Sequence, residues 1–203
     1  AGEVACVSVH GGNRLGGNSL LDLVVFGRSA GIHIEELMKQ GIELKKASFD
    51  DIDKALERLN RLNSSTKGEQ VPVLKQRMQH NMQNNFGVFR REDLMVKGIE
   101  KLNNMRGEVE NMFLQDKSSA FNTARIEALE MQNLFEVSEA TAITANERKE
   151  SRGAHARDDY PDRDDEGWLK HSIYFSGTKE VSKRDVNNRP KTVQAFQPSV
   201  RTY

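Results

Sequence analysis

The chain has 203 residues, with 30 basic and 30 acidic side chains and therefore no formal net charge at neutral pH. This length allows one or two domains with a real core, and the charge balance gives no reason to expect nucleic acid as a partner. A single cysteine, Cys6, excludes a disulfide framework or a cysteine-based metal cluster. No apolar stretch approaches the ~20 residues of a membrane span, so we expect any membrane association to come through a partner.

The first part of the chain combines a short strand, a glycine-rich loop and an apolar helix. Residues 4–9 are β-prone and predict a short buried strand. Four of the seven residues 11–17 are glycines, which let a backbone approach a ligand closely. Asn18 and Ser19 are good helix caps, and they predict a buried helix over the apolar run 20–26, continuing or restarting as far as Gly41.

The loop and the start of this helix are typical of a site for an anionic or carbonyl-rich group. The amino terminus of a helix carries unpaired N–H groups and a partial positive charge. Arg14, in the loop, adds a planar guanidinium that suits a carboxylate. From the residues alone a purely structural turn, with Arg14 in a salt bridge, is an open alternative, because short glycine motifs also match by chance.

Four further helices are predicted after a link at 42–47. Ser48 and Asp51 have the spacing of a capping box at the start of the first. A polar loop over 63–69 precedes a helix over about 70–84, and two long helices follow that we expect to pack antiparallel across a connection at 115–118. The four helical stripes, one to a helix, are Ile52, Leu56, Leu59 and Leu62; Leu74, Met78 and Met82; Met95, Ile99, Leu102, Met105, Val109 and Met112; and Ile126, Leu129, Asn133, Val137, Ala140 and Thr144.

The remainder lacks helical periodicity and predicts a charged loop over 147–167, followed by a hairpin and an extended tail. The hairpin strands are expected at 168–175 and from 181, with a turn at 176–178. The aspartates between 158 and 165 lack the spacing and glycine of a calcium loop, so we expect no metal site. The predicted fold class is mainly α, a strand–loop–helix unit followed by a helical bundle and a small β-containing tail.

Several motifs resemble the flavoprotein subunits of succinate dehydrogenases and fumarate reductases. They are Gly2-Glu3, HGGNRLGGNSL at 10–20, ESRGAHAR at 150–157, PDRDD at 161–165 and RTY at 201–203. The last two match the bacterial succinate dehydrogenase subunit more closely, and position 12 is Gly where the family usually has Ala. The resemblance implies the carboxy-terminal portion of a longer subunit, in which 1–31 ends an FAD-binding domain, 32–147 is a helical domain and 148–203 is a loop- and hairpin-containing segment.

The resemblance also implies FAD as the cofactor and assigns roles to five residues. Arg14 and His10 would bind the succinate or fumarate substrate, although His10 is equally open to a role in holding the loop. Glu3 would accept hydrogen bonds from FAD hydroxyls, and the backbone N–H groups of Ser19 and Leu20 would face the flavin pyrimidine edge. No catalytic residue is expected in this segment, since the arginine that the family uses for proton transfer lies upstream. From the residues themselves, Arg152, His155 and Arg157 are expected to anchor the helical region to the flavin domain or to the partner subunit rather than to form an acid–base site.

The implied function is oxidation of succinate to fumarate, with electrons passing to an iron–sulfur subunit and then to quinone. Membrane anchor subunits would hold the complex at the cytoplasmic face of a bacterial inner membrane. The alternatives are a fumarate reductase or L-aspartate oxidase flavoprotein, or a non-catalytic helical interaction fragment. We expect the segment alone to be inactive, and to self-associate because its strand and first helix need a cover.

Overall fold

The computed structural model describes residues 1–196 and 199, which divide into two compact units. One unit consists of Ala1–Ala47, Arg152–Ala154 and the described residues from Val186 onward. The other consists of Ser48–Ser151 and His155–Asp185. The elements are α1 Gly16–Lys39, α2 Phe49–Ser64, α3 Val71–Phe86, β1 Phe89–Arg90, α4 Glu92–Glu110, α5 Thr123–Glu147, β2 Ala156–Arg157, α6 Asp165–Trp168, β3 Lys170–Phe175 and β4 Glu180–Asp185. The predicted mainly α class is confirmed.

Helices α3, α4 and α5 pack around the core of the second unit. Their apolar stripes supply most of its buried side chains, and five of the seven methionines are buried there: Met78, Met95, Met105, Met112 and Met131. Two ion pairs show that α4 and α5 run antiparallel, Glu92 with Lys149 at 3.8 Å and Arg106 with Glu136 at 3.0 Å. The predicted antiparallel pair is therefore confirmed, although its connection is longer than expected because α4 ends at Glu110 and α5 begins at Thr123.

The carboxy-terminal part of this unit contains the predicted hairpin. Strands β3 and β4 pair antiparallel from Lys170 opposite Asp185 to Phe175 opposite Glu180. The charged loop is largely irregular, as predicted, but it contains the short helix α6 and the two-residue strand β2, which pairs parallel with β1.

The motif at 201–203 lies outside the described residues. No helix in the described part of the chain is both long and apolar enough to cross a bilayer.

Two predictions for the amino-terminal segment are wrong. Residues 4–9 form no strand, because no other described segment pairs with their backbone N–H and C=O groups. Helix α1 begins at Gly16, so that Asn18 and Ser19 lie within its first turn rather than capping it. Leu15 occupies the cap position and makes no side-chain hydrogen bond to the helix. The single helix to Lys39 agrees with the predicted continuation towards Gly41.

The predicted burial of the apolar run in α1 is also wrong. Only the polar residues Ser19 and Asp22 are buried in this helix, whereas its neighbouring apolar side chains are 58–70% exposed. Those side chains are Leu20, Leu21, Val24 and Val25. The run stays exposed because none of the described residues covers this side of the helix, and a contiguous exposed apolar surface of this kind marks an interaction site.

Candidate substrate and flavin site

Arg14 is fixed by three contacts within the first unit. Its Nη1 donates to the carbonyl oxygen of Glu3 at 2.8 Å, and its Nη2 donates to that of Ala5 at 3.0 Å. Nη2 also lies 3.0 Å from Oδ2 of Asp22. A tight turn presents these carbonyls, since Ala5 N–H donates to the Gly2 carbonyl at 3.0 Å and Gly2 takes a positive φ of 98°. The guanidinium is therefore held in one orientation by two backbone groups and one carboxylate.

Asp22 joins two predicted site residues. The same Oδ2 atom lies 2.7 Å from Nε2 of His10 and 3.0 Å from Nη2 of Arg14. The side chain of Asp22 is 2% exposed, against 12% for His10 and 24% for Arg14. Asp22 is not among the predicted site residues, although it is the one charged residue in the run 20–26. The sequence does contain a signal for Asp22. It lies one helical turn after Ser19 and is polar among apolar neighbours, which places it on the same side of the helix as Ser19.

The three residues expected to contact FAD lie close together in sequence but differ in their surroundings. The side chain of Glu3 is exposed, while its carbonyl holds Arg14. Ser19 is buried, and its N–H donates to the carbonyl of Leu15 at 2.9 Å. Leu20 is 67% exposed. Because the first residues of a helix have no partner for their N–H groups within the helix, the backbone donors that α1 leaves open precede Ser19 and belong to Gly16, Gly17 and Asn18.

The loop that carries Arg14 packs against residues 152–154. The N–H of Ala154 donates to the carbonyl of Gly12 at 3.1 Å. Gly153 has a φ of +60°, and a Cβ there would lie 2.5 Å from the carbonyl carbon of Gly12, so only glycine fits. A Cβ on Gly12 would lie 2.8 Å from the carbonyl oxygen of Arg152. An alanine at position 12 therefore requires the backbone at 152 to shift.

His155 and Arg157 belong to the second unit and are engaged in structural contacts. Arg157 is 2% exposed, donates to both carboxylate oxygens of Asp159 at 2.6 and 2.7 Å, and donates to three carbonyls at the end of α5. His155 contacts the Arg90 guanidinium and the Arg148 carbonyl. Burial lowers the pKa of His155, and the neighbouring arginines lower it further. A neutral, fully bonded imidazole of this kind is poorly suited to an acid–base role.

In residues 1–196 and 199, no set of three or more His, Cys, Asp or Glu side chains is placed to hold a metal ion.

Comparison with known proteins decides the family. The family model described as "Fumarate reductase flavoprotein C-term" matches residues 75–203. The chain belongs to the succinate dehydrogenase and fumarate reductase flavoprotein family. The succinate dehydrogenase flavoprotein subunit of Coxiella burnetii is 50% identical over 99% of the chain, and 34% of that subunit is covered. The fumarate reductase flavoprotein subunit of Haemophilus influenzae is 32% identical over the whole chain, again with 34% covered.

A solved structure from the same family has the same fold. It is a variant of the E. coli quinol fumarate reductase FrdA, with a TM-score of 0.84 and 34% sequence identity. The alignment covers 97% of this chain and 34% of that one. The chain thus spans about a third of the length of the flavoprotein subunits it matches.

Proposed function

We propose that this chain is the carboxy-terminal third of a succinate dehydrogenase flavoprotein subunit, which oxidises succinate to fumarate with FAD. The observation that carries the proposal is the fixed guanidinium of Arg14. A dicarboxylate has to be held with one C–H bond facing the flavin, and an oriented arginine supplies both the charge and the direction. The higher identity to the Coxiella succinate dehydrogenase subunit than to the Haemophilus fumarate reductase subunit supports the succinate dehydrogenase branch.

The guanidinium of Arg14 has N–H donors that remain available for a substrate. A guanidinium carries five N–H donors. The contacts with the Glu3 carbonyl, the Ala5 carbonyl and Asp22 account for three of them. The two remaining donors, Nε–H and one N–H of Nη1, have no partner among the described residues. Each of them can donate to an oxygen of a bound substrate. The short contact between Nε2 of His10 and Asp22 supports a role for His10 in holding the loop. We therefore propose that His10 helps to position Arg14 and does not bind substrate independently.

The start of α1 supports a flavin contact. Bound FAD would accept a hydride from succinate. The open N–H groups of the first turn and the positive end of the helix dipole would face a carbonyl-rich or anionic edge, and would favour the charge of the reduced ring. In this proposal Ser19 and Leu20 place the first turn against the flavin. The exposed carboxylate of Glu3 is free to accept hydrogen bonds from FAD hydroxyls.

The exposed apolar side of α1 supports the proposal that the rest of the subunit covers this helix. A run of large apolar side chains at 58–70% exposure favours association, so we propose that the isolated chain would self-associate. It would lack activity because the rest of the subunit is missing. In the complete protein we propose an iron–sulfur subunit and membrane anchor subunits as partners, with electrons passing to quinone. The assembled subunit would lie at the cytoplasmic face of a bacterial inner membrane, attached through those partners.

The test replaces Arg14 by lysine in the complete flavoprotein subunit. Lysine keeps the charge but loses the planar fork, so we expect succinate oxidation to fall by about 100-fold or more, because a misplaced substrate loses the geometry needed for reaction. Arg28→Lys is the matched control, since Arg28 lies exposed on the same helix. Near-normal succinate oxidation by Arg14→Lys would contradict the proposed role.

A further inference from the structure

One carboxylate oxygen in the first unit serves two functional groups at once. Oδ2 of Asp22 lies 2.7 Å from Nε2 of His10 and 3.0 Å from Nη2 of Arg14. Asp22 stands on α1, whereas both of its partners stand on the loop that precedes the helix. A helix supplies a more rigid base than a loop, so the carboxylate is the fixed member of this group.

The other two contacts of Arg14 are with uncharged groups. They are two backbone carbonyls, Glu3 at 2.8 Å and Ala5 at 3.0 Å, both from an irregular segment. The contact with Asp22 is the one of the three in which both partners carry a full charge. Removing the charge of Asp22 would leave the guanidinium held only by the two backbone carbonyls.

The burial of Asp22 is costly, which points to a role beyond stability. Its side chain is 2% exposed, and its second oxygen, Oδ1, has no hydrogen-bond partner among the described residues. A buried carboxylate oxygen without a partner costs free energy, and natural proteins concentrate such violations at functional sites. The neighbours of Asp22 in the sequence are aliphatic, so a carboxylate at this position departs from the pattern of the run.

We propose that Asp22 is a positioning residue, which fixes the guanidinium of Arg14 and the ring of His10 for binding a dicarboxylate. This inference rests on the proposed function, because Arg14 has to be the residue that binds substrate. Asp22 is almost fully buried and Arg14 is 24% exposed, so an approaching dicarboxylate meets the cation and not the carboxylate. Asp22 acts through Arg14 and touches neither substrate nor flavin.

The test uses the complete flavoprotein with two substitutions at this position. Asp22→Asn keeps the size and removes the charge, while Asp22→Glu keeps the charge on a longer side chain. The control is Asp53→Asn, on the exposed surface of α2. The measurements are the flavin content, the melting temperature, the kcat and KM for succinate, and the Kd of malonate, a dicarboxylate that cannot be dehydrogenated, from the change in flavin absorbance.

We expect Asp22→Asn to raise the malonate Kd and the succinate KM by about 10- to 100-fold, since an unfixed arginine no longer presents its donors in one direction. Flavin content and melting temperature should stay near those of the parent protein, and Asp22→Glu should restore part of the affinity. A malonate Kd in Asp22→Asn equal to that of the Asp53→Asn control would overturn the inference. Equal loss of affinity, flavin and melting temperature in both Asp22 variants would also overturn it, because it indicates a merely structural residue.

The Arg14→Lys variant separates this inference from the function on which it rests. If Arg14→Lys oxidises succinate normally, the proposed function fails whatever Asp22 does. If Arg14→Lys is inactive and Asp22→Asn binds malonate normally, only the positioning role fails.

Discussion

Nη1 of Arg90 lies 2.8 Å from Nδ1 of His155. Because a guanidinium has only donors, Nδ1 must accept this hydrogen bond, and the ring proton must lie on Nε2. Nε2 is 3.0 Å from the carbonyl of Arg148, which accepts that proton. The two contacts fix one neutral tautomer of His155. A second proton would have to be added at the nitrogen that faces Arg90.

We therefore expect the second unit to lose stability in mild acid through His155. Burial lowers the pKa of His155 below its ordinary value of 6.5, and the charges of Arg90, Arg148 and Arg157 lower it further. The unfolded chain takes up the proton as the pH falls through 6.5, while the folded chain does not, so the free energy of unfolding falls as the pH drops below that value. The measurement is the free energy of unfolding by urea between pH 8 and pH 5, for the parent chain and for His155→Gln.

The glutamine variant cannot take up a proton, so its curve should decline less steeply below pH 6.5. Parallel curves for the two proteins would show that His155 has the same pKa in the folded and unfolded states, contrary to the contact with Arg90.

The buried ion pair of Arg157 and Asp159 gives a second prediction. Arg157→Ala would leave the carboxylate of Asp159 without its bidentate partner, and the carbonyls of Ala145, Asn146 and Arg148 without a donor. Removing one member of a buried pair costs about 3–5 kcal/mol. We expect Arg157→Ala to destabilise the chain by about 3 kcal/mol in urea unfolding, the lower end of that range because Asp159 keeps 29% of its side chain exposed.

The chain contains a matched control for this pair. Arg91 and Asp93 are also two residues apart and also form two hydrogen bonds, at 3.1 and 2.9 Å, but both side chains are about half exposed. Exposed pairs contribute little to stability. Arg91→Ala should therefore leave the unfolding free energy nearly unchanged. Similar losses in the two variants would mean that burial does not set the strength of these pairs.

The helices of the second unit were predictable because the partners of their apolar faces lie in the same chain. The stripe from Met95 to Met112 and the stripe that includes Leu129 recur every three to four residues, and both helices pack into one core. The same rule failed at α1. There the run 20–26 predicts a buried helix, but no described residue covers its apolar side chains, and the buried positions are Ser19 and Asp22.

The candidate site was predictable only in part, for a related reason. The resemblance singled out Arg14 and His10, because both stand in a specific motif. It did not single out Asp22, because a carboxylate within an apolar run has no local pattern that links it to residues eight and twelve positions earlier. That link exists only once the loop folds back along the helix. Likewise, the packing of Gly153 on Gly12 joins segments about 140 residues apart.

The hydroxyl of Tyr174 donates to the buried carboxylate of Glu139 at 3.0 Å, which gives a third prediction. Burial raises the pKa of Tyr174 to about 12, and the bond to Glu139 contributes to the rise. Glu139→Gln removes that negative charge, so the pKa of Tyr174 should move back towards 10. The measurement is the ultraviolet titration of tyrosinate, with Tyr174→Phe identifying the signal among the three tyrosines. An unchanged titration in Glu139→Gln would mean that burial alone sets the pKa.

The two glycines of α4 give a final prediction, because adding a methyl group should have opposite effects at the two positions. At Gly98 a Cβ would lie 2.3 Å from Cε2 of Phe86 and 2.8 Å from Cβ of Asn85, so the packing of α3 on α4 must open. At Gly107 a Cβ would meet nothing within 4 Å.

Alanine has an intrinsic advantage over glycine of about 1 kcal/mol in a helix, whereas overpacking a core costs about 1–3 kcal/mol. Gly107→Ala should therefore raise the unfolding free energy by about 1 kcal/mol. Gly98→Ala should lower it by about 1–2 kcal/mol, since the helical gain offsets only part of the clash. Urea unfolding of both variants measures the two signs. A more stable Gly98→Ala would show that α3 and α4 are not packed as closely as the contact between Gly98 and Phe86 requires.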